Sequence, residues 1–78
     1  MTTTAIKVQC GAEQVGDGDS YIPIVVKAGT LVYLWRGDRQ TGRTAKARLA
    51  ASKRACRLAV EWAESQGHVV GNRKEALA

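Results

Sequence analysis

Residues 44–66, TAKARLAASKRACRLAVEWAESQ, decide the fold, because they form the one long segment in which apolar side chains recur with helical spacing. This recurrence every three or four residues predicts an amphipathic α-helix. Thr41 or Thr44 can cap its start, and Gly67 stands where a left-handed residue would end it. The predicted buried stripe consists of Ala45, Leu49, Ser52, Cys56, Ala59, Val60 and Ala63. Small side chains dominate it, so we expect the helix to lie close against its partner layer.

Strand patterns precede the helix. Residues 4–10 alternate between apolar and polar side chains, which is the period of a half-buried strand. Residues 21–27 and 30–36 are rich in β-branched and aromatic side chains, and Ala28-Gly29 supplies a tight turn between them. These two segments are therefore predicted to form a hairpin.

The hairpin is apolar on both faces. With a turn centred on Ala28-Gly29, the predicted core face carries Ile22, Ile24, Val26, Leu31, Tyr33 and Trp35. The other face carries Pro23, Val25, Val32 and Leu34, and is a candidate contact surface for a homodimer. Because proline has no N–H to donate to a ladder, strand 21–27 is predicted at the edge of the sheet.

The remaining segments complete a single domain over residues 1–78. Residues 11–20 are rich in Gly and Asp and predict a mobile loop. Residues 68–70 predict a short fourth strand, and residues 72–78 a flexible tail or short helical turn. The predicted fold is α+β, with a small antiparallel sheet of three to four strands in β-β-β-α-β order packed on one long amphipathic helix.

Positive charge is concentrated in the middle of the chain. The formal net charge is +5, yet residues 36–57 alone carry +7, with eight of the twelve Lys and Arg opposed only by Asp38. Such a field favours polyanions, whether nucleic acid, an acidic protein face or an anionic membrane.

The order of charges along the predicted helix is reversed. Bases crowd its start and Glu61 and Glu64 lie near its end, whereas the helix dipole favours the opposite order. This pattern indicates a partner at the helix surface, although a solvated face that maintains solubility is the alternative. Trp62 either packs under the C-terminal segment or is an exposed contact. The candidate binding residues are Arg36, Arg39, Arg43, Lys46, Arg48, Lys53, Arg54, Arg57 and Trp62.

The sequence contains no pattern typical of catalysis. The turn at residues 35–46 lacks a complete GxxxxGK[ST] phosphate loop, and no base lies near a nucleophile in sequence. Cys10 and Cys56 form no metal-type pair and are read as reduced thiols. No apolar run approaches the roughly 20 residues that a membrane span needs. We therefore expect a soluble cytoplasmic protein that is not an enzyme and needs no metal, cofactor or small-molecule substrate.

The order of elements resembles that of small phage-encoded anti-CRISPR proteins that inhibit type I systems. The likeness lies in the MTTT start into a strand, the hairpin at residues 20–32, and ACRLAVEW at residues 55–62 followed by GHVVGN at residues 67–72. The resemblance implies binding to a Cascade-type surveillance complex in the host cytoplasm, which blocks target DNA binding or nuclease recruitment. Many members are acidic DNA mimics, whereas this chain is basic, which favours contact with guide RNA, target DNA or an acidic protein face.

A second likeness is to the C-terminal half of a double-stranded RNA-binding domain. There, basic residues at the start of the last helix grip phosphates, a part that Arg43, Lys46 and Arg48 would play here. The first helix of that domain has no counterpart, because residues 4–10 alternate as a strand. A stand-alone RNA- or DNA-binding module is therefore the second hypothesis.

Overall fold

The computed structural model describes residues 5–16 and 18–78 and has the predicted α+β architecture, a sheet packed against one long helix. Its elements, in chain order, are β1 Lys7–Val15, β2 Ser20–Lys27, β3 Tyr33–Arg36, β4 Gln40–Thr41, α1 Ala45–Ser65, β5 Val69–Val70 and α2 Arg73–Ala76. The two-residue strand β4 was not predicted. It makes the sheet five-stranded.

The sheet is mixed. Its strand order is β3-β2-β1-β5, and β4 also pairs with β2. Three of the four strand pairs are antiparallel, but β5 runs parallel to β1, so the fourth predicted strand exists and the expectation of a wholly antiparallel sheet was wrong. The parallel pair follows from the connection, because a long crossover helix returns the chain to the same end of the sheet.

The predicted mobile loop at residues 11–20 was wrong for most of its length. Strand β1 continues to Val15, and Gly11 pairs with Ile24 within a hairpin that extends to Val15 and Ser20. A long ladder with the β-branched strand β2 outweighs the low strand propensity of Gly11. The turn itself uses Gly16 and Gly18, which have φ values of +65° and +89°. Asp17, and Thr4 of the predicted first strand, lie outside the described residues.

Strand β2 is central, which corrects its predicted place at the edge. It pairs with β1 on one side and with β3 and β4 on the other. Pro23 is tolerated because it lies between the stretches that pair with β3 and β4, where its carbonyl accepts from the Gly37 N–H at 2.9 Å. The N and O atoms of a strand residue point to the same side of the strand. The N atom of Pro23 therefore faces the gap between β3 and β4, as its carbonyl does, and no hydrogen bond to β1 is lost.

The predicted hairpin register and its core face were also wrong. Val26 pairs with Tyr33 and Val25 with Trp35, and the register shifts between them, which leaves Leu34 as the extra residue of a bulge. Val25 and Pro23 are fully buried, whereas Ile22, Ile24 and Val26, which alternate with them along β2, are half-buried. Of the predicted dimer face, Pro23 and Val25 are buried inside the fold, Leu34 is half-buried and Val32 is exposed. The homodimer through this face stays a prediction.

Helix α1 occupies the predicted residues, but its buried side is rotated at the N-terminal half. The buried residues are Ala51, Ala55, Ala59, Val60 and Ala63. The predicted burial of Ala59, Val60 and Ala63 is confirmed. In the N-terminal half the predicted Ala45 and Leu49 are exposed, with Leu49 59% accessible. The contact selects alanines because their small side chains allow the helix backbone to approach the sheet.

The C-terminal segment is fastened to β1 by the Asn72 side chain. Asn72 Nδ2 donates to the Cys10 carbonyl at 2.7 Å, and Asn72 Oδ1 accepts from the Cys10 N–H at 2.9 Å. This amide continues the β1–β5 ladder beyond the Gly71 N–H, which donates to the Val8 carbonyl at 2.9 Å. The predicted tail is thus ordered at its start, and Ala76 of α2 packs against the core.

Replacing Asn72 with alanine should lower the free energy of unfolding by about 1–3 kcal/mol, because two polar backbone groups of Cys10 lose their partner. The Asn72→Asp variant keeps the acceptor but replaces the donor with an oxygen that faces the Cys10 carbonyl. It should therefore be destabilised as well. Urea unfolding of the three proteins measures both effects. Wild-type stability in Asn72→Ala would contradict the fastening role of this amide.

Candidate polyanion-binding site

Five exposed cations lie along one side of α1. Lys46, Lys53 and Arg57 are separated by seven and four residues, so they fall in line on a helix of 3.6 residues per turn. At a rise of 1.5 Å per residue, Lys46 and Arg57 are about 16 Å apart along the axis. Arg54 adjoins Arg57, and Arg43 lies just before the helix. We call Arg43, Lys46, Lys53, Arg54 and Arg57 the basic row.

The direction in which the basic row points is set by the opposite side of the helix. Ala51, Ala55, Ala59 and Ala63 recur every four residues and are fully buried. Ala59 and Ala63 belong to the core cluster that contains Val8 and Val25 of the sheet. Because side chains project radially from a helix, burial of the alanines turns the basic row to solvent.

The charge of the basic row is not neutralised within the described residues. The ion pairs among residues 5–16 and 18–78 are Arg36 with Glu13 at 3.4 Å and Arg73 with Glu64 at 3.0 Å. Neither includes a member of the basic row. Cations that form no ion pair leave a positive potential over the surface, which attracts anions from solution.

The ends of α1 confirm the reversed order of charges. The first turn contains no acidic residue and the last turn no basic residue. The predicted cap at Thr44 is confirmed, since its Oγ1 accepts from the Ala47 N–H at 3.1 Å. The helix start therefore combines the positive end of the dipole with Arg43 and Lys46 and no compensating acid.

Three other candidate residues lie outside helix α1 or off the line of the basic row. Arg36 pairs with Ile24 on the sheet face away from the helix, where it contacts Glu13 and lies 5.3 Å from the Tyr33 ring centroid. Arg48 is half-buried on the side of α1 that faces the sheet. Arg39 is exposed and directly precedes β4.

Gln40 connects β4 to the basic row and was not singled out by the sequence. Arg54 Nε donates to Gln40 Oε1 at 3.3 Å, and Gln40 Nε2 donates to the Asp38 carbonyl at 3.2 Å. A two-residue strand between glycines carries no periodicity, so the sequence gives no signal that places Gln40 beside the helix.

Trp62 takes part in the packing between helix and sheet. Its ring stacks on Trp35, with centroids 5.2 Å apart and planes within 6°. The His68 ring lies 5.9 Å away on a tilted plane. Trp62 is half-buried and lies against the core cluster, so it is part of the packing and not a fully exposed contact. The structure does not join it to the basic row.

Neither thiol is an activated nucleophile. Burial raises the pKa of Cys10 from its ordinary value of 9.0 to about 11, with repulsion from Cys56 and Glu64 as smaller causes. Burial also raises the pKa of Cys56. Both thiols are therefore protonated near neutral pH, whereas a reactive cysteine needs a lowered pKa.

Within the described part of the chain, no three His, Cys, Asp or Glu side chains meet as a metal site. Among these same residues, no helix is long and apolar enough to cross a membrane. Comparisons with protein families, with curated proteins and with solved structures identify no protein that matches this chain.

The Lys46→Glu variant should be more stable than wild type, because an acid then faces the positive end of the helix dipole. The expected gain in the free energy of unfolding is about 0.3–1 kcal/mol at low salt. Lys46→Gln, which only removes the charge, should gain less. Urea unfolding at two salt concentrations provides the measurement, and an unchanged or lowered stability in Lys46→Glu would disagree with the reversed-charge interpretation.

The pH dependence of stability should reveal the buried Cys10 thiol. Its pKa is about 11 in the folded protein and 9.0 ordinarily, so the unfolded chain ionises first as pH rises. The stabilisation is complete below about pH 9 and is lost between about pH 9 and 11. The relevant quantity is the difference from Cys10→Ala, which lacks this thiol and should lose less stability over the same interval. Parallel pH profiles would show that Cys10 is not the cause.

Proposed function

We propose that this protein is a non-enzymatic binding protein that docks its basic row on nucleic acid, either free or within a nucleoprotein complex. The observation that carries this proposal is the exposure of five cations along one helix with no carboxylate partner among the described residues. The helix also gives up dipole stabilisation to hold them at its start. A surface that breaks local rules at the expense of its own stability is typical of a functional site.

The linear arrangement of the basic row favours a phosphate backbone as its partner. Duplex DNA carries one charge per about 1.7 Å of axis, so a row of about 16 Å meets several phosphates. Long flexible Lys and Arg side chains can follow such a backbone without reading its sequence. The second candidate is an acidic protein face, which predicts no affinity of the wild type for a free oligonucleotide.

As the specific partner we propose a type I CRISPR surveillance complex in the cytoplasm of a host cell. This identification rests on the sequence resemblance at residues 20–32, 55–62 and 67–72. The stand-alone RNA- or DNA-binding module remains the alternative, because the basic row would serve both functions.

Reversing two charges of the basic row should weaken nucleic-acid binding. The Lys46→Glu/Lys53→Glu double variant should lose at least tenfold in affinity for a labelled oligonucleotide, measured by fluorescence anisotropy. The plot of log affinity against log salt should also become shallower, by about one unit for each phosphate contact removed. Lys7→Glu/Lys27→Glu is the matched control, because it changes the net charge equally at exposed positions away from α1.

An equal loss in the two double variants would mean that net charge, and not the basic row, governs binding. A salt-independent affinity in the wild type would rule out counterion release and hence a nucleic-acid backbone as the partner.

The proposed CRISPR partner has a separate test. A purified type I surveillance complex with its guide RNA is incubated with labelled target DNA and this protein. We expect loss either of target binding or of cleavage by the recruited nuclease, and Lys46→Glu/Lys53→Glu should not inhibit. If the wild type leaves both steps unchanged, this partner is excluded.

A further inference from the structure

A hollow of about 280 Å3 lies between α1 and β4, beside the basic row. Its lining residues are Gln40, Arg54, Arg57, Leu58 and Glu61. The volume is near the lower limit of about 300 Å3 for small-molecule sites, so it suits a single ring system and not a complete cofactor. Two of its lining residues, Arg54 and Arg57, belong to the basic row.

The hollow combines an apolar side chain with hydrogen-bonding groups of both kinds. Leu58 is half-buried and supplies the apolar surface. The Arg57 guanidinium offers donors, and the Glu61 carboxylate offers acceptors on the same helix one turn further along. Gln40 is held in place by its bonds to Arg54 and to the Asp38 carbonyl.

We propose that this hollow binds an unpaired nucleobase of a strand whose phosphates lie on the basic row, which rests on the proposed function. A nucleobase has apolar faces, on which Arg guanidinium planes stack, and an edge that carries both donors and acceptors. Arg54 and Arg57 can contact the phosphates and the base of one nucleotide, because they lie on the border between the row and the hollow.

The charges of the hollow argue against the other occupants. Arg54 and Arg57 would attract the carboxylates of an acidic peptide, but Glu61 would repel them, whereas a neutral base edge can donate to Glu61. A duplex keeps its bases stacked and paired, so it would use the phosphate contacts of the basic row and leave the hollow empty. The proposal therefore predicts a preference for single strands, which a basic surface alone would not produce.

The first test compares a 12-nucleotide RNA without self-complementarity with the duplex of the same sequence, by fluorescence anisotropy. Wild type should bind the single strand at least fivefold more tightly than the duplex. Leu58→Gln should lose about fivefold or more in single-strand affinity and leave duplex affinity unchanged. Leu49→Gln is the matched control, since Leu49 is an exposed leucine on the same helix that does not line the hollow.

A second test uses an exposed residue, so that misfolding cannot explain the result. At the base edge cytosine has an amino donor beside the N3 acceptor, whereas uracil has a carbonyl beside an N3–H donor. A Glu carboxylate accepts from the cytosine amino group, while the uracil carbonyl at that position would face Glu61 as a second acceptor. Wild type should prefer oligo(C), and Glu61→Ala should abolish most of this preference without weakening oligo(U) binding. A purely electrostatic role for Glu61 would strengthen both equally on its removal.

The outcomes separate the two proposals. Equal affinity for single strand and duplex, with binding still lost in Lys46→Glu/Lys53→Glu, would overturn the nucleobase site and leave the basic row intact. Loss of affinity in Leu49→Gln equal to that in Leu58→Gln would also overturn the site. If wild type binds no oligonucleotide, both proposals fail together.

Discussion

The close packing of four alanines against the sheet is the contact on which the rest of the structure depends. Ala51, Ala55, Ala59 and Ala63 are fully buried, and Ala59 and Ala63 lie in the core cluster with Val8 and Val25. A domain of 78 residues has little surface to bury, so close approach of the two layers is needed for stability. The same contact fixes the rotation of α1 and hence the direction of the basic row.

Stability and binding make opposing demands on α1. A helix selected for stability alone would carry acids in its first turn and bases in its last, and this helix has neither. Thr44 supplies one capping hydrogen bond at the unfavourable end. The unfavourable interaction of the basic side chains with the helix dipole is offset by packing on the opposite face. There the alanine contact and the stacked Trp35–Trp62 pair hold the helix to the sheet. The exposed face is thereby free to carry charge for a partner.

Local signals in the sequence predicted the helix, its Thr44 cap, the class of the fold and the position of β5. Contacts between distant segments outweighed the local signals of Gly11 and Pro23. Gly11 favours a loop by its own propensity, but its pairing with Ile24 on the neighbouring strand keeps it in β1. Pro23 favours an edge strand, but the gap between β3 and β4 lets it lie in a central strand, and β4 was not predicted.

The candidate site also has a part that the sequence predicted and a part that it did not. The basic row follows from helical spacing, whereas the separate location of Arg36 and the side chain of Gln40 beside Arg54 depend on contacts between distant segments. No periodicity within one segment reports such contacts. In the N-terminal half of the helix the predicted stripe ran through Ala45 and Leu49, whereas the contact with the sheet buries Ala51 and Ala55.

The most direct test of the central claim is the location of the contact surface. Amide NMR spectra of the labelled protein, recorded during titration with a 12-nucleotide single-stranded RNA, report which residues are perturbed. Binding through the basic row should shift residues 43–58 and Gln40, with little change on the outer sheet face at Gln9, Glu13 and Ile24. Perturbation concentrated on that outer face, with α1 unchanged, would contradict it.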